Sequence, residues 1–440
     1  MNYRYHLCIP NKDSVRVQFW NPQFQSPNES SGTLNRDRLN DRIQSMLTDS
    51  SQLVGNAIRT VGEALFDCLF DSQLREHFLT YYQQVVLDKQ QTLEIILAIN
   101  ETALPELVAY PWEFICLPKR YQQGEIRFAT DPKLSFFRTR YNLEDSDRRS
   151  LQIEPEKRLK IALVVARPIA NSQLKNVEYR QVESHLNHLA TQHKDIDFLP
   201  VINPATPRKV AAQLRDTQPD IFHFIGHGQL GQIAWVTESG EPDWKTASFF
   251  SNLFNQHRPK IVLLQACETA QESELEAFSS VAAHLMLQGI AIVIAMQYKI
   301  SNQTASCFVG DFYDEIIKGH PVDVAVQQAR FNLSLDKGYE QKDFATPILY
   351  MNSRDGYLFL QAETPDDDII FKEDELLDIL EQMIPVQFKK LCFKLKVPKN
   401  LLPSEDKDQT SKAIALLEWA TAPGGCGLEN INNAVNELLK

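Results

Sequence analysis

The chain has 440 residues, 43% of them hydrophobic and 23% charged, which suits two to four domains or one large domain with an appendage. A formal net charge of −12 argues against a dedicated nucleic-acid binder, because neutralising phosphates needs a concentrated Lys/Arg surface. No stretch approaches the roughly 20 apolar residues of a membrane span, and the start, MNYRYHLCIPNKDS, lacks the basic opening and apolar run of a secretory signal.

In chain order, the segment from Pro22 to Arg38 is rich in Asn, Ser and Pro and is expected to be a loop. Three-to-four spacing of apolar residues, as in VGEALFDCLF, predicts helices through about Leu39 to Leu87. LEIILAI then predicts a buried strand, followed by the punctuated PELVAYPWEFICL, in which Trp112 is expected in the core. Residues 1–150 are expected to form an α/β part. The polar stretch from Glu144 to Arg158 is expected to connect it to a second part spanning 151–361. There, LKIALVVA, IFHFIG (221–226), KIVLLQA (260–266) and AIVIAM (291–296) are continuous apolar runs, the pattern of strands covered on both faces. Helical stretches between them, notably VEYRQVESHLNHLATQ and SVAAHLMLQG, predict a mostly parallel sheet flanked by helices. A further strand-like piece, ATPILYMN, and then YLFLQ follow. Residues 362–374 are acidic and read as a linker, with Asp366 to Asp368 solvated, and 375–440 predict a small helical bundle punctuated by Pro385, Pro398, Pro403 and PGGCG. Such a bundle is expected to be an interaction module.

Cys8, Cys68, Cys116, Cys267, Cys307, Cys392 and Cys426 form no CxxC pair and no repeated spacing, so neither a zinc site nor a disulfide framework is expected. The odd count suits a reducing compartment, and a cytoplasmic location is the expectation. Cys307 lies in an apolar helical pattern and is expected in the core. Cys426, in a Gly-rich loop, is expected to be exposed.

Two of the central strands end in reactive residues. IFHFIG runs into His227-Gly228, and KIVLLQA runs into Cys267-Glu268. Ligand sites in open parallel sheets form beyond the carboxyl ends of strands, so adjacent strands would bring imidazole and thiol together. A thiol at its ordinary pKa is only a few per cent thiolate at neutral pH and needs a base beside it. His supplies that base and later protonates a leaving amine. A tetrahedral oxyanion then needs backbone donors, for which the N–H groups of Gly228 and Cys267 are the candidates. This chemistry requires no metal or organic cofactor. His223, four residues before His227, is expected to be a hydrogen-bonded core histidine.

The runs HFIGHG, LLQACETA, GIAIVIAMQYKIS, PVDVAVQQAR and FATPILYM, in that order, resemble the signatures of a CHAT-domain peptidase, a relative of caspases and separases. VGEALFDCLF and LPELVAYPWEFI resemble the N-terminal part common in CHAT proteins. The resemblance implies a caspase-like fold, a His227–Cys267 dyad and cleavage of a protein substrate. Gln265-Ala266-Cys267 matches the start of the caspase Q-A-C motif, which places Gln265 in a substrate pocket; Glu268 is a further pocket candidate. After AIVIAM, where relatives often carry an acid that reads a basic residue before the cut, this chain has Lys299-Ile300-Ser301-Asn302. Ser301 and Asn302 are therefore pocket candidates without a basic preference attached. QFKKLCFKLKVPKNLLP and KAIALLEWA resemble the small death-like adaptors called effector-associated domains. That resemblance implies a partner protein carrying a matching helical domain, latency until recruitment, and a prokaryotic defence or programmed-death setting. No nucleic-acid or membrane partner is expected. A catalytically silent scaffold and a thiol hydrolase of small acyl or amide substrates remain the competing readings.

Overall fold

The computed structural model describes residues 3–21, 27–121, 125–143, 148–154, 156–169, 174, 177–229, 232–266, 281–298, 301–359, 373–383, 385–398, 408–422 and 425–439. The chain divides into two compact units, the first containing all the strands and the second the C-terminal helices.

The first unit is built on one eleven-stranded sheet. Its strands are β1 (Tyr3–Asn11), β2 (Ser14–Trp20), β3 (Asn28–Thr33), β4 (Leu93–Ile99), β5 (Leu134–Arg140), β6 (Leu159–Val165), β7 (Ile196–Phe198), β8 (Ile221–Gly226), β12 (Ile261–Ala266), β13 (Ile292–Met296) and β14 (Pro347–Met351). A second sheet of three short strands comprises β9 (Gly228–Gln229), β10 (Gln232–Val236) and β11 (Pro242–Thr246). The order across the large sheet is β3-β2-β1-β4-β5-β14-β13-β12-β8-β6-β7. β4, β8 and β13 are buried at every residue, as continuous apolar runs covered on both faces must be.

The pairing directions divide the sheet. β1, β4, β5 and β14 run parallel to one another, and β13, β12, β8, β6 and β7 do likewise. The two sets meet antiparallel at β13–β14, where Met296 faces Pro347. The carboxyl ends of β8, β12 and β13 therefore share an edge with the amino ends of β14, β5, β4 and β1. Both sequence-predicted parts, 1–150 and 151–361, contribute to this one sheet.

One local reading is corrected, and two segments are defined more closely. The segment Pro22 to Arg38 is not all loop, since Asn28–Thr33 forms β3 on β2 at the sheet edge. Its side chains are polar and largely exposed because an edge strand covers little core, so it carries no apolar signature. Within the polar connection Glu144 to Arg158, Leu151 and Ile153 are buried, and Arg149 and Ile153 make bridges to Ser353 and Phe359. YLFLQ contributes the Phe359 bridge and no strand among the described residues. Of the expected linker 362–374, residues 362–372, with Asp366 to Asp368, lie outside the described residues, and 373–374 open the helix Glu373–Gln382.

A buried polar network joins distant parts of the first unit. Arg138 forks onto Glu113, donating from Nε at 3.0 Å and from Nη2, while Gln297 Nε2 donates to the same carboxylate at 2.8 Å. Arg330 donates to the carbonyls of Pro347 and Phe136 at 2.9 Å each, and its Nη2 lies 3.9 Å from Glu113. Trp112 is fully buried beside them, as expected.

A second buried carboxyl, Asp323, starts the helix Val322–Lys337 and accepts a hydrogen bond from Ser135. Burial, aided by the nearby Glu94 carboxylate, pushes Asp323 up to about 7. An unfolded aspartate releases its proton near pH 4, so between about pH 4 and 7 the folded chain holds a proton that the unfolded chain does not. Stability contributed by this group is present at low pH and is lost as pH rises through 7. Urea midpoints for the parent protein should fall between pH 5 and 7.5, and Asp323→Asn should flatten that slope. An identical slope in the variant would show that Asp323 is not its source.

In the second unit, four helices, Glu373–Gln382, Pro385–Lys394, Gln409–Thr421 and Leu428–Leu439, enclose their own core of Leu376, Leu380, Leu391, Leu416, Ile431 and Val435. Asp408 caps the third helix by accepting from the Ser411 N–H at 2.8 Å. Among the described residues, no helix is long and apolar enough to cross a membrane.

Candidate active site

β6, β7 and β8 follow one another in the chain, yet β7 and β8 lie on opposite sides of β6. The chain thus changes winding direction between β6 and β8, the position where open parallel sheets place their clefts. β8 ends there, at Gly226. A methyl group on Gly226 would meet the Phe224 ring at 2.8 Å and the Ala166 Cβ at 3.1 Å, so the missing side chain lets β8 end against β6.

His227 follows directly and is 1% exposed. Its carbonyl accepts from the Ala234 N–H at 2.9 Å, and Gly228 pairs with Ile233 in the small sheet. In an antiparallel ladder, hydrogen-bonded and non-bonded pairs alternate. With His227–Ala234 the bonded pair, Gly228–Ile233 is the non-bonded one, and the Gly228 N–H points away from β10. Trp235 on β10 packs against Phe224, Phe249 and Phe250 at 5.2 to 5.4 Å, which fixes this corner from one side.

β12 is the immediate neighbour of β8, in parallel, with Gln265 opposite Ile225 and Ala266 opposite Gly226. The residues that precede His227 and Cys267 thus face one another across adjacent strands. Cys267 and Glu268 themselves lie outside the described residues, as do Lys299 and Ile300.

Gln265 is 2% exposed, and its side-chain oxygen lies 3.1 Å from His223 Nε2. His223 is fully buried, as the sequence suggested, and its Nδ1 lies 3.4 Å from the Tyr313 hydroxyl. Desolvation holds the imidazole down at about 4, against a smaller opposing effect of the Gln265 hydrogen bond. Ser301 caps the helix Asn302–Ile317, its hydroxyl accepting from the Thr304 N–H at 3.0 Å; Asn302 opens that helix, half-buried.

Sequence reasoning missed the residues that hold the segment after β13. Gln297 binds Glu113 and also donates to the Ala345 carbonyl at 2.6 Å. Tyr298 stacks on Phe114 with centroids 5.7 Å apart. No local signal could have found these, because their partners lie far away in the chain.

All six described thiols are shifted upward. Burial pushes Cys8 and Cys392 up to about 11 and Cys68 and Cys116 up to about 12, so they stay protonated at neutral pH. Cys8 is notable because His6 Nε2 lies 3.5 Å from its sulfur, yet proximity to imidazole does not offset the desolvation there. Cys307 is exposed, not in the core, because it falls on the helix face opposite Phe308, Phe312 and Ile316; its thiol is raised as well. Cys426 is half-buried, against the expected exposure, and likewise raised. Among the described residues, no group of three or more His, Cys, Asp or Glu side chains is placed to hold a metal ion.

No curated protein matches the chain. Similar solved structures include the Arg-specific cysteine proteinase gingipain R (RgpB), at 11% identity and a TM-score of 0.43, covering 68% of this chain and 70% of that one. The complex of Porphyromonas gingivalis RgpB pro- and mature domains is similar at 14% identity and a TM-score of 0.40, covering 66% and 71%. The Saccharomyces cerevisiae separase–securin complex is similar at 10% identity and a TM-score of 0.44, covering 79% of this chain and 30% of that one. The profile of the CHAT domain matches residues 59–381, nearly three quarters of the length, and the chain therefore belongs to the CHAT-domain family.

Proposed function

We propose that the chain is a cysteine endopeptidase in which His227 and Cys267 form the catalytic dyad. The observation that carries this reading is the parallel register that sets Gly226 opposite Ala266, at the carboxyl ends of neighbouring strands beside the change of winding. Membership of the CHAT family supports it. In the proposed reaction, His227 takes the Cys267 proton as the sulfur attacks a peptide carbonyl. The resulting oxyanion accepts hydrogen bonds from the N–H groups of Gly228 and Cys267; the orientation of the Gly228 N–H, away from β10, supports that role. His227 then gives the proton to the leaving amine as the C–N bond breaks. Water, deprotonated by His227, cleaves the thioester and restores the thiol.

The 1% exposure of His227 favours a competing reading, a catalytically silent caspase-like scaffold. We reconcile burial with catalysis through latency: the covered imidazole belongs to a resting state, released when a partner engages the C-terminal bundle. Supporting this, the bundle has a core of its own, and Phe393 is 87% exposed among the exposed Lys389, Lys390 and Lys394. An aromatic ring left so open contributes little to folding, so Phe393→Ala should change unfolding free energy by less than about 0.5 kcal/mol. A loss several times larger, seen by urea titration, would mean that the ring is part of the bundle's packing. A partner with a matching helical bundle, a protein substrate, a cytoplasmic location and a prokaryotic defence or programmed-death setting complete the proposal.

Purified protein incubated with a mixed peptide library, with and without forced clustering of the C-terminal bundle, tests it. Clustering should raise cleavage through effective concentration, with fragments absent from a Cys267→Ala control. No fragments under either condition would favour the scaffold. Release of small acyl groups or ammonia without chain cleavage would favour the small-substrate hydrolase.

A further inference from the structure

We infer that Gln265 is a strut and not a substrate contact: His223, itself held by Tyr313, grips its amide inside the layer between sheet and helix, and this grip positions the strand end from which the nucleophile follows. The inference rests on the reading of Cys267 as the nucleophile. It goes against the pocket role that the Q-A-C resemblance implies for Gln265.

The register explains the contact. His223 pairs with Leu263 and Ile225 with Gln265, so strand alternation places His223 and Gln265 on one face as diagonal neighbours. The helix Asn302–Ile317 supplies Tyr313 to that face, its ring 6.1 Å from the imidazole. Gln265 is 2% exposed, and Tyr313 and His223 are fully buried.

With the ring neutral, the hydrogen bonds have one consistent direction. The Tyr313 hydroxyl donates to Nδ1, and Nε2–H donates to the Gln265 oxygen. The Gln265 oxygen can only accept, which puts a proton on Nε2, and because burial keeps the ring neutral, Nδ1 is left to accept from Tyr313. The Gln265 oxygen is thereby committed inward, and its residue lies two before Cys267. A shorter or differently charged side chain there leaves buried polar groups unpaired and frees the end of β12 to shift. Displacing a reacting group by about 1 Å can cost about 100-fold in rate.

The experiment has two arms. In the first, kcat and KM are measured for the parent, Gln265→Asn and His223→Gln over peptides that differ only in the residue before the cut. The inference predicts kcat lowered about 10- to 100-fold, with KM and the ranking of preferred residues unchanged. An altered ranking in Gln265→Asn would make Gln265 a pocket residue and overturn the inference, as would an unchanged kcat.

The second arm needs no activity and separates this inference from the peptidase reading. Nitrogen-15 NMR of labelled histidines should show the His223 proton on Nε2 throughout pH 5–8 in the parent protein. Gln265→Glu, which sets a carboxylate against Nε2, should convert His223 to imidazolium within that range. A parent protein that cleaves nothing but shows this behaviour fails the peptidase reading and keeps the grip. A parent His223 that titrates near its ordinary value, or carries its proton on Nδ1, ends the inference whatever the activity.

Discussion

Replacement of His227 by alanine is expected to lower peptide cleavage about 10²- to 10⁴-fold, carried mainly by kcat. The reasoning starts from the thiol. At its ordinary pKa it is only a few per cent ionised at neutral pH, and the leaving amine departs poorly unless it is protonated. One imidazole at the end of β8, beside the strand that leads to Cys267, answers both needs. Alanine removes the proton acceptor but keeps the backbone carbonyl that receives the Ala234 N–H, so the corner of the small sheet is retained. Steady-state kinetics beside a urea titration separate the two effects. A loss below about fivefold in a stable variant would exclude His227 as the general base.

Glu113→Ala is expected to carry the largest stability loss, about 3–5 kcal/mol. Glu113 is the carboxylate shared by Arg138 and Gln297, with Arg330 a further 3.9 Å away. Both guanidinium groups are buried, and desolvation already holds Arg330 down at about 10 with Glu113 in place. Alanine leaves two buried cations facing one another without a counter-charge. Among the described residues Arg330 Nη2 already has no hydrogen-bond partner, so none of them stands ready as a spare acceptor. Because Gln297 is the first residue beyond β13, the same change should loosen the segment that leads to Ser301. Urea midpoints measure the first effect, and cleavage by the refolded variant measures the second. A stability loss under 1 kcal/mol would mean that water enters and hydrates the arginines.

The strands that carry the site were legible because burial on both faces writes itself as unbroken apolar text: IFHFIG, KIVLLQA and AIVIAM all occupy the predicted strands. Their adjacency was a condition that the sequence left open; the sheet order β13-β12-β8 meets it, and the register places His223 and Gln265 together. The β1–β2 hairpin was missed although its period of two was legible, with Tyr5, Leu7, Ile9, Val15 and Val17 buried and Arg4, His6, Arg16 and Gln18 facing outward. β3 was missed because it is polar on both faces. Leu151 and Ile153 show how two apolar residues can dock a segment whose composition is mostly polar. Cys307 was misplaced by its apolar neighbours, whereas its phase against Phe308 and Phe312 points it outward. The grip of Glu113 on Gln297 was beyond sequence reasoning, since a contact across 184 positions has no periodicity to betray it.

The central claim is that Cys267 is the nucleophile, and chemical trapping tests it most directly. A peptide electrophile that alkylates catalytic thiols, applied to the clustered protein and followed by peptide mapping, should modify Cys267. Modification should slow about 10²- to 10⁴-fold in the His227→Ala protein. The half-buried Cys8 and the buried Cys68, Cys116 and Cys392, each raised to about 11 or 12, should stay unlabelled. Labelling spread over the exposed Cys307 and the half-buried Cys426, with Cys267 no faster and indifferent to His227, would contradict the account.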